Sequence, residues 1–335
     1  MVQPVPCVPV LVTGGAGYIG SHVVLALVDA GYGVVVLDDL STGRHDAVPP
    51  GASLIVGNVG DRGLVKDLLE KHKIASVMHF AGSVLVGQSV LDPLGYYENN
   101  TVNSLALIDT CVKAGVANFI FSSTAAVYGI PVEQPIAESA PTVPINPYGA
   151  SKLMSEIMLR DAAAVSRLRY VILRYFNVAG ADPKGRLGQS AKNATHLIKV
   201  GAQTALGRRQ SMSIFGEDYP TRDGTCERDF IHVSDLIDAH LDALAYLRRG
   251  GASLVCNCGY GHGATVKEVI DVVKQVSGVD FHVEISPRRA GDPAVIVARA
   301  ERARETLGWK PKRDNLEEIV RQAIDWERRL HNRGL

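Results

Sequence analysis

The sequence predicts an α/β chain: a doubly wound parallel sheet followed by a smaller C-terminal α/β lobe. Three observations lead there. Short apolar, β-branched runs alternate with helical patterns through the first half. Those runs are apolar at every position rather than every second one, as strands covered on both faces require. A glycine-rich turn joins the first run to the first helical stretch.

In order, Val10–Thr13, Val34–Asp38, Leu54–Val56, Val77–Phe80, Phe119–Ser123 and Tyr170–Arg174 are the expected strands. Ser21–Ala30, Leu64–His72, Val102–Ala114 and Ser151–Ser166 are the expected helices between them. After about residue 180 the pattern loosens, with Gly, Pro and charged loops around 181–192 and 216–228. The expected division is therefore 1–180 for the sheet domain, with about 229–260 returning to it, and 181–335 mainly for the smaller lobe. Such a lobe belongs over the carboxyl ends of the strands, where open α/β sheets bind ligands.

The first chemical motif is Thr13-Gly14-Gly15-Ala16-Gly17-Tyr18-Ile19-Gly20. A lone glycine run is a weak signal, since an incidental turn looks the same. Here it follows a strand, opens a helix and is answered by Asp38 at the end of the next strand, the pattern of dinucleotide binding. Glycines let the backbone approach a pyrophosphate, whose charge sits at the helix N-terminus. Asp38 can accept both adenosine ribose hydroxyls and would repel a 2′-phosphate, which favours NAD over NADP. Arg44 nearby is the one residue that argues the other way.

The second motif is Tyr148-Gly149-Ala150-Ser151-Lys152. Asn146 can cap a helix with Pro147 at its first position, which places Tyr148 in the opening turn. Residues four apart return to one face, so Tyr148 and Lys152 lie one above the other. A phenol with an ordinary pKa near 10 is a poor base at neutral pH. A lysine ammonium and an oxidised nicotinamide beside it both favour the phenolate, so a lowered pKa is expected. The bland alternative is a chance Tyr and Lys on a solvated face. The run Phe121-Ser122-Ser123-Thr124, ending the preceding strand, weighs against it by supplying a hydroxyl, Thr124, for a substrate oxygen that loses its proton.

Composition excludes several classes. Lys plus Arg is 35 and Asp plus Glu is 35, so no global field draws the chain to nucleic acid or to an anionic membrane. The five cysteines, at 7, 111, 226, 256 and 258, form no C-x-x-C pair, which fits a reducing compartment and a cytoplasmic protein. Cys256-Asn-Cys258 reads as buried packing, because alternate strand residues point to opposite faces, and no metal site is expected. Tyr128 and Trp309 read as core residues.

These motifs, with His79-Phe80-Ala81-Gly82, Tyr96-Tyr97-Glu98-Asn99-Asn100, Phe121–Gly129, Arg174-Tyr175-Phe176-Asn177, Asp218–Val233 and Pro287-Arg288-Arg289-Ala290-Gly291-Asp292, resemble the extended short-chain dehydrogenase/reductase family. Within it the chain is most similar to the UDP-sugar 4-epimerases that act on UDP-glucose and UDP-galactose, from Val10 to about Trp326. The resemblance implies a Rossmann-type domain, an isomerase activity passing through a transient 4-keto sugar, and NAD held tightly and regenerated each turnover. It implies that Gly14, Gly17, Tyr18, Ile19, Gly20, Asp38, Asp39, Leu40, Ser41, Thr42, Gly43, Asn58, Val59, Phe80, Ala81, Gly82, Ser83, Val84, Asn99, Ser122, Tyr148, Lys152 and Phe176 line NAD. Tyr148, Lys152 and Thr124 are the implied catalytic set. Thr124 and Tyr148 would touch the sugar, Asn177, Arg228 and Arg289 the diphosphate, and Phe215 and Asp292 the uridine. It further implies a homodimer, paired through helices at about 95–114 and 147–166.

Related nucleotide-sugar dehydratases carry an Asp-Glu pair just after the strand-end Thr, where this chain has Ala125-Ala126. Without an acid and base for a second proton transfer, a 4-keto sugar can only be returned. Three departures from the resemblance matter. His196 stands where many relatives have Asn; it can donate to a phosphate or serve structure alone. Val84 and Asn58 replace a Lys and an Asp. Ile296 stands at the implied gate of the sugar, intermediate between residues that admit N-acetylhexosamines and residues that bar them. UDP-pentoses and UDP-N-acetylhexosamines therefore stay open as substrates. So do a net oxidoreductase that releases a keto sugar and a non-catalytic NAD-binding scaffold.

Overall fold

A computed structural model describes residues 8–191, 195–289 and 291–332; Cys7 and Ala290 lie outside them. The expected strands form, with ends moved by a residue or two: β1 Val10–Thr13, β2 Val34–Asp38, β3 Ala52–Val56, β4 Ser76–His79, β5 Asn118–Thr124 and β6 Arg169–Tyr175. With Leu254–Cys258 they make a seven-stranded sheet in the order Leu254–Cys258, β6, β5, β4, β1, β2, β3. β1–β2, β1–β4, β2–β3 and β4–β5 pair in parallel, with Thr13 opposite both Leu37 and His79. The order reverses at β1 and β4, the switch point where doubly wound sheets bind dinucleotides.

The connecting helices are α1 Tyr18–Asp29, α2 Arg62–Lys71, α3 Val86–Leu91, α4 Pro93–Tyr97, α5 Asn103–Lys113 and α6 Pro147–Ala164. One face of the sheet sends Leu11, Leu37, Phe119, Phe121 and Ile172 into a buried cluster with Val65 and Leu68 of α2, Leu107 and Cys111 of α5, and Leu159 of α6. Alternation turns Val12 and Val36 to the other face, where the Gly15 backbone packs beside Val36 and α1's Val24. Each such aliphatic side chain, fully buried, contributes roughly 1.5–3 kcal/mol relative to an exposed one.

The chain divides into two compact units. The first comprises residues up to Val127, Asn146–Arg174 and Ala239–Cys256; the second comprises Tyr128–Ile145, Tyr175–Asp238 and the residues from Asn257 onward. In the second unit Asn177–Ala179 pairs in parallel with Phe230–His232. Glu227–Arg228 lies between Ala264–Thr265 and Val295–Ile296 in a small three-stranded sheet. Tyr128 and Trp309 are buried, as are Cys256 and Cys258. No helix among the described residues is long and apolar enough to cross a membrane.

Candidate active site

The glycine turn is built for close backbone approach. Gly14 has φ +71°, and a Cβ there would lie 2.4 Å from the Ala81 backbone nitrogen. The turn therefore packs directly on the exit of β4, and no side chain fits between them. Gly17 is the N-cap of α1 and offers no side-chain cap, which leaves the leading N–H groups of that helix to an anion. Asp38 is buried at the end of β2, its Oδ2 accepting from Ala16 N at 2.9 Å and its Oδ1 from Leu40 N at 2.9 Å. Burial raises its pKa, and these two bonds oppose the rise. The following loop returns to the turn through Arg44 N and Ala16 O at 3.0 Å. Leu40 adopts φ 58°, a left-handed conformation costly for a leucine and of the kind that clusters at functional sites. Arg44, the residue that favoured NADP, instead donates to both carboxylate oxygens of Asp46, at 2.8 and 2.7 Å.

Asn58 is exposed, and its Oδ1 already accepts from Gly60 N at 2.7 Å; Val59 beside it is buried. After β4, the stretch Phe80–Val84 is held by an asparagine the sequence reading passed over. Asn100 lies in a π-helical turn, Glu98–Val102, between α4 and α5. Its side chain accepts from Ser83 N at 2.7 Å and donates to Ser83 O at 3.0 Å and Ser151 Oγ at 3.1 Å. Its carbonyl accepts from Ser104 Oγ and Ser155 Oγ. Asn99, the expected residue, donates to Ser83 Oγ at 2.9 Å. The π-turn is the device that turns both asparagines to use.

The three residues expected to be catalytic come together within the first unit. Asn146 caps α6 by accepting from Gly149 N at 2.8 Å, and Pro147 takes the first position. The helix thus begins at Pro147, where the cap and proline place it and four residues before the periodic pattern at Ser151, with Tyr148 in its first turn. Tyr148 is buried and hydrogen-bonded to Thr124 at the end of β5. Lys152 is buried one turn later, donating to Ser122 O at 3.0 Å and lying 4.9 Å from the centre of the Phe121 ring. Thr124 Oγ1 also receives Ala126 N at 3.1 Å.

In the protein alone, burial pushes the Tyr148 phenol up to about 12, with the Thr124 bond opposing. The lysine is itself desolvated, its ammonium lowered to about 8 while the Glu156 carboxylate resists. At Tyr148, then, desolvation outweighs the Thr124 hydrogen bond.

The second unit collects the residues expected at the nucleotide. The Arg289 guanidinium sits over the Phe215 ring, 4.5 Å from its centre, and its Nε is 3.1 Å from Asp292 Oδ2. Arg228 reaches Asp292 Oδ1 at 3.4 Å. Two guanidiniums share one carboxylate, so the cluster keeps a positive charge suited to phosphate oxygens. Ile296 stands opposite Arg228 in the parallel register and is buried. Asn177 donates its backbone N–H to Asp229 O at 3.0 Å. Asp229, unforeseen, is fully buried and accepts from Tyr260, Gly261 and Ala298, which fixes the backbone next to Arg228. Phe176 is buried between β6 and Asn177. His196 is exposed at the start of helix Leu197–Ala205, and its side chain caps nothing.

The profile of the NAD dependent epimerase/dehydratase family matches residues 10–259. The UDP-glucose 4-epimerase of Azospirillum brasilense is 60% identical over 321 residues, 96% of this chain and 92% of its own length. The solved UDP-glucose 4-epimerase from Brucella ovis in complex with NAD is 42% identical with a TM-score of 0.92, covering 95% of this chain and 97% of its own. The UDP-Glc/GlcNAc 4-epimerase from Campylobacter jejuni is 50% identical with a TM-score of 0.84, covering 96% of this chain and 99% of its own.

Proposed function

Since this chain belongs to the NAD dependent epimerase/dehydratase family, we propose that it interconverts UDP-glucose and UDP-galactose by 4-epimerisation. The observation that carries the reading is the Thr124–Tyr148–Lys152 constellation at the end of β5 and the start of α6. The first unit holds the dinucleotide. The Gly14–Gly20 turn and the open N-terminus of α1 suit its pyrophosphate, and Asp38 suits the adenosine ribose. When bound, NAD supplies a reversible hydride acceptor for the sugar C4 and a cationic ring that favours the phenolate.

The protein's own residues move the proton. Tyr148 Oη takes it from the 4-hydroxyl, steadied by Thr124, as C4 becomes a ketone. It returns the proton once the ketone has been reduced on its opposite face, so configuration inverts. Lys152 stays charged beside the phenolate throughout. Ala125 and Ala126 offer no acid or base for elimination, so the ketone is an intermediate and never a product. Arg228, Arg289 and Asn177 hold the diphosphate, with His196 as a further donor, while Phe215 and Asp292 seat the uridine and Ile296 lies toward the sugar. Binding energy from this remote end keeps the keto sugar aboard while it turns over.

The test is incubation of purified protein with UDP-galactose and no added NAD. UDP-glucose should form without net NADH. NADH accumulating in step with substrate oxidation would mean a net oxidoreductase, and no turnover of any UDP-sugar would mean a scaffold. The likeness to the UDP-Glc/GlcNAc enzyme of Campylobacter jejuni favours N-acetylhexosamine as a second substrate, so UDP-GlcNAc belongs in the same assay alongside UDP-xylose.

The enzyme acts as a cytoplasmic homodimer. The scattered cysteines suit a reducing compartment. Val102 and Leu105 leading into and along α5, and Met154 and Ile157 on α6, are exposed at 55%, 45%, 44% and 42%, an apolar surface that a second copy would cover.

A further inference from the structure

Behind the catalytic pair lies a buried charge that the reaction as described leaves unused. Glu156 follows Lys152 by one helical turn on α6 and is fully buried. Its Oε1 accepts from Ser123 Oγ at 2.5 Å and Arg174 Nε at 3.0 Å, and its Oε2 from Arg174 at 2.6 Å. Ser123 lies between Ser122, whose carbonyl receives Lys152, and Thr124, which bonds Tyr148. One carboxylate thus ties β5 and β6 to α6 at the level of the reacting groups.

Stability alone is a weak reason to bury it. Desolvating such a pair costs several kcal/mol per ion, and apolar replacements are often neutral or better. Lys152 gives a stronger reason. Burial pulls its ammonium down to about 8, and Glu156 is the group that opposes the fall. The other neighbours supply no anion. Tyr148 on α6 and Tyr96 on α4 are neutral phenols below about pH 10. His79 on β4 is buried and held neutral. From β5 come the Ser122 carbonyl and the Phe121 ring, and from β6 comes Arg174, a cation already committed to Glu156.

Resting on the epimerase reading, we infer that Glu156, anchored by Ser123 and Arg174, is a positioning residue that holds Lys152 as an ammonium and sets α6 against the end of β5. Lys152 is a cation whose contribution is present below its pKa and lost as pH rises through it. Removing the Glu156 charge lowers that pKa, and removing only its counter-ion raises it.

Two readouts test this: the pH profile of kcat, and the titration of Lys152 by NMR of lysine-labelled protein, its signal assigned by its loss in Lys152→Met. Glu156→Gln should move both the alkaline limb and the Lys152 midpoint down by about one pH unit or more, with KM for UDP-galactose and bound NAD retained. Arg174→Met should move both up. The double variant Glu156→Gln/Arg174→Met, which leaves no unpaired buried charge, should fold if either single variant does not, and should again move them down. Unchanged limb and midpoint in every folded variant, with only unfolding temperatures altered, would reduce Glu156 to a structural clamp. Failure of the wild type to epimerise would overturn the functional reading, yet the Lys152 titration would still report on Glu156.

Discussion

The Tyr148 phenol and the Lys152 ammonium stand one helical turn apart, and burial drives them away from each other on the pH scale, to about 12 and about 8. A tyrosine so buried stays a phenol in the protein alone, and the proposed NAD, when bound, would add the further positive charge that favours the phenolate. Tyr148→Phe should lower kcat by orders of magnitude while protein-bound NAD, measured after denaturation, stays at the wild-type level; near wild-type rates would remove the phenol from the mechanism. His79 makes a separate prediction. Enclosed between Thr13 Oγ1 at 2.7 Å and Ser104 Oγ at 2.9 Å, it is pushed from the ordinary 6.5 down to about 3, chiefly by burial. The unfolded chain therefore binds the extra proton first, and stability should fall as pH drops from about 6.5 toward 3. Urea midpoints across that window should decline in the wild type and decline less in His79→Gln.

At the scale of elements, the glycine turn and the head of α6 set the geometry. Gly14→Ala places a methyl within 2.4 Å of the Ala81 backbone and strains a positive φ, so the purified variant should carry little or no NAD. Asn146→Ala removes the cap of α6 and should cost about 1 kcal/mol in denaturant unfolding. Six of the seven strands of the sheet were legible as continuous apolar runs, while Leu254–Cys258, interrupted by Asn257, was not among those expected. The cap and its proline had announced the start of α6, even though the periodic pattern alone began at Ser151. The Gly14–Gly20 turn, Asp38, Thr124, Tyr148 and Lys152 were legible for the same reason: each chemistry demands a residue type at a fixed spacing. Asn100, Asp229 and Glu156 were not, because they act by bonding elements distant in sequence, and spacing carries no trace of such partners. Glu156 alone left a local hint, sharing a helical face with Lys152. The left-handed Leu40 left none, since leucine is not a residue that signals that conformation.

For the whole molecule, a net formal charge of zero means cations must be concentrated where an anion is bound, and Arg228 and Arg289 around Asp292 are such a concentration. The same surface economy applies to apolar groups. Leu105→Asp with Ile157→Asp should yield monomers by analytical ultracentrifugation; a wild type that already sediments as a monomer would discard the pairing. The helix that presents Met154 and Ile157 outward also carries Tyr148, Lys152 and Glu156 inward. The proposed association and proton transfer would thus be two flanks of a single rod. Thinning a sample until the partners drift apart should then make each remaining molecule slower, and restoring the crowd with inert Tyr148→Phe copies should bring its pace back.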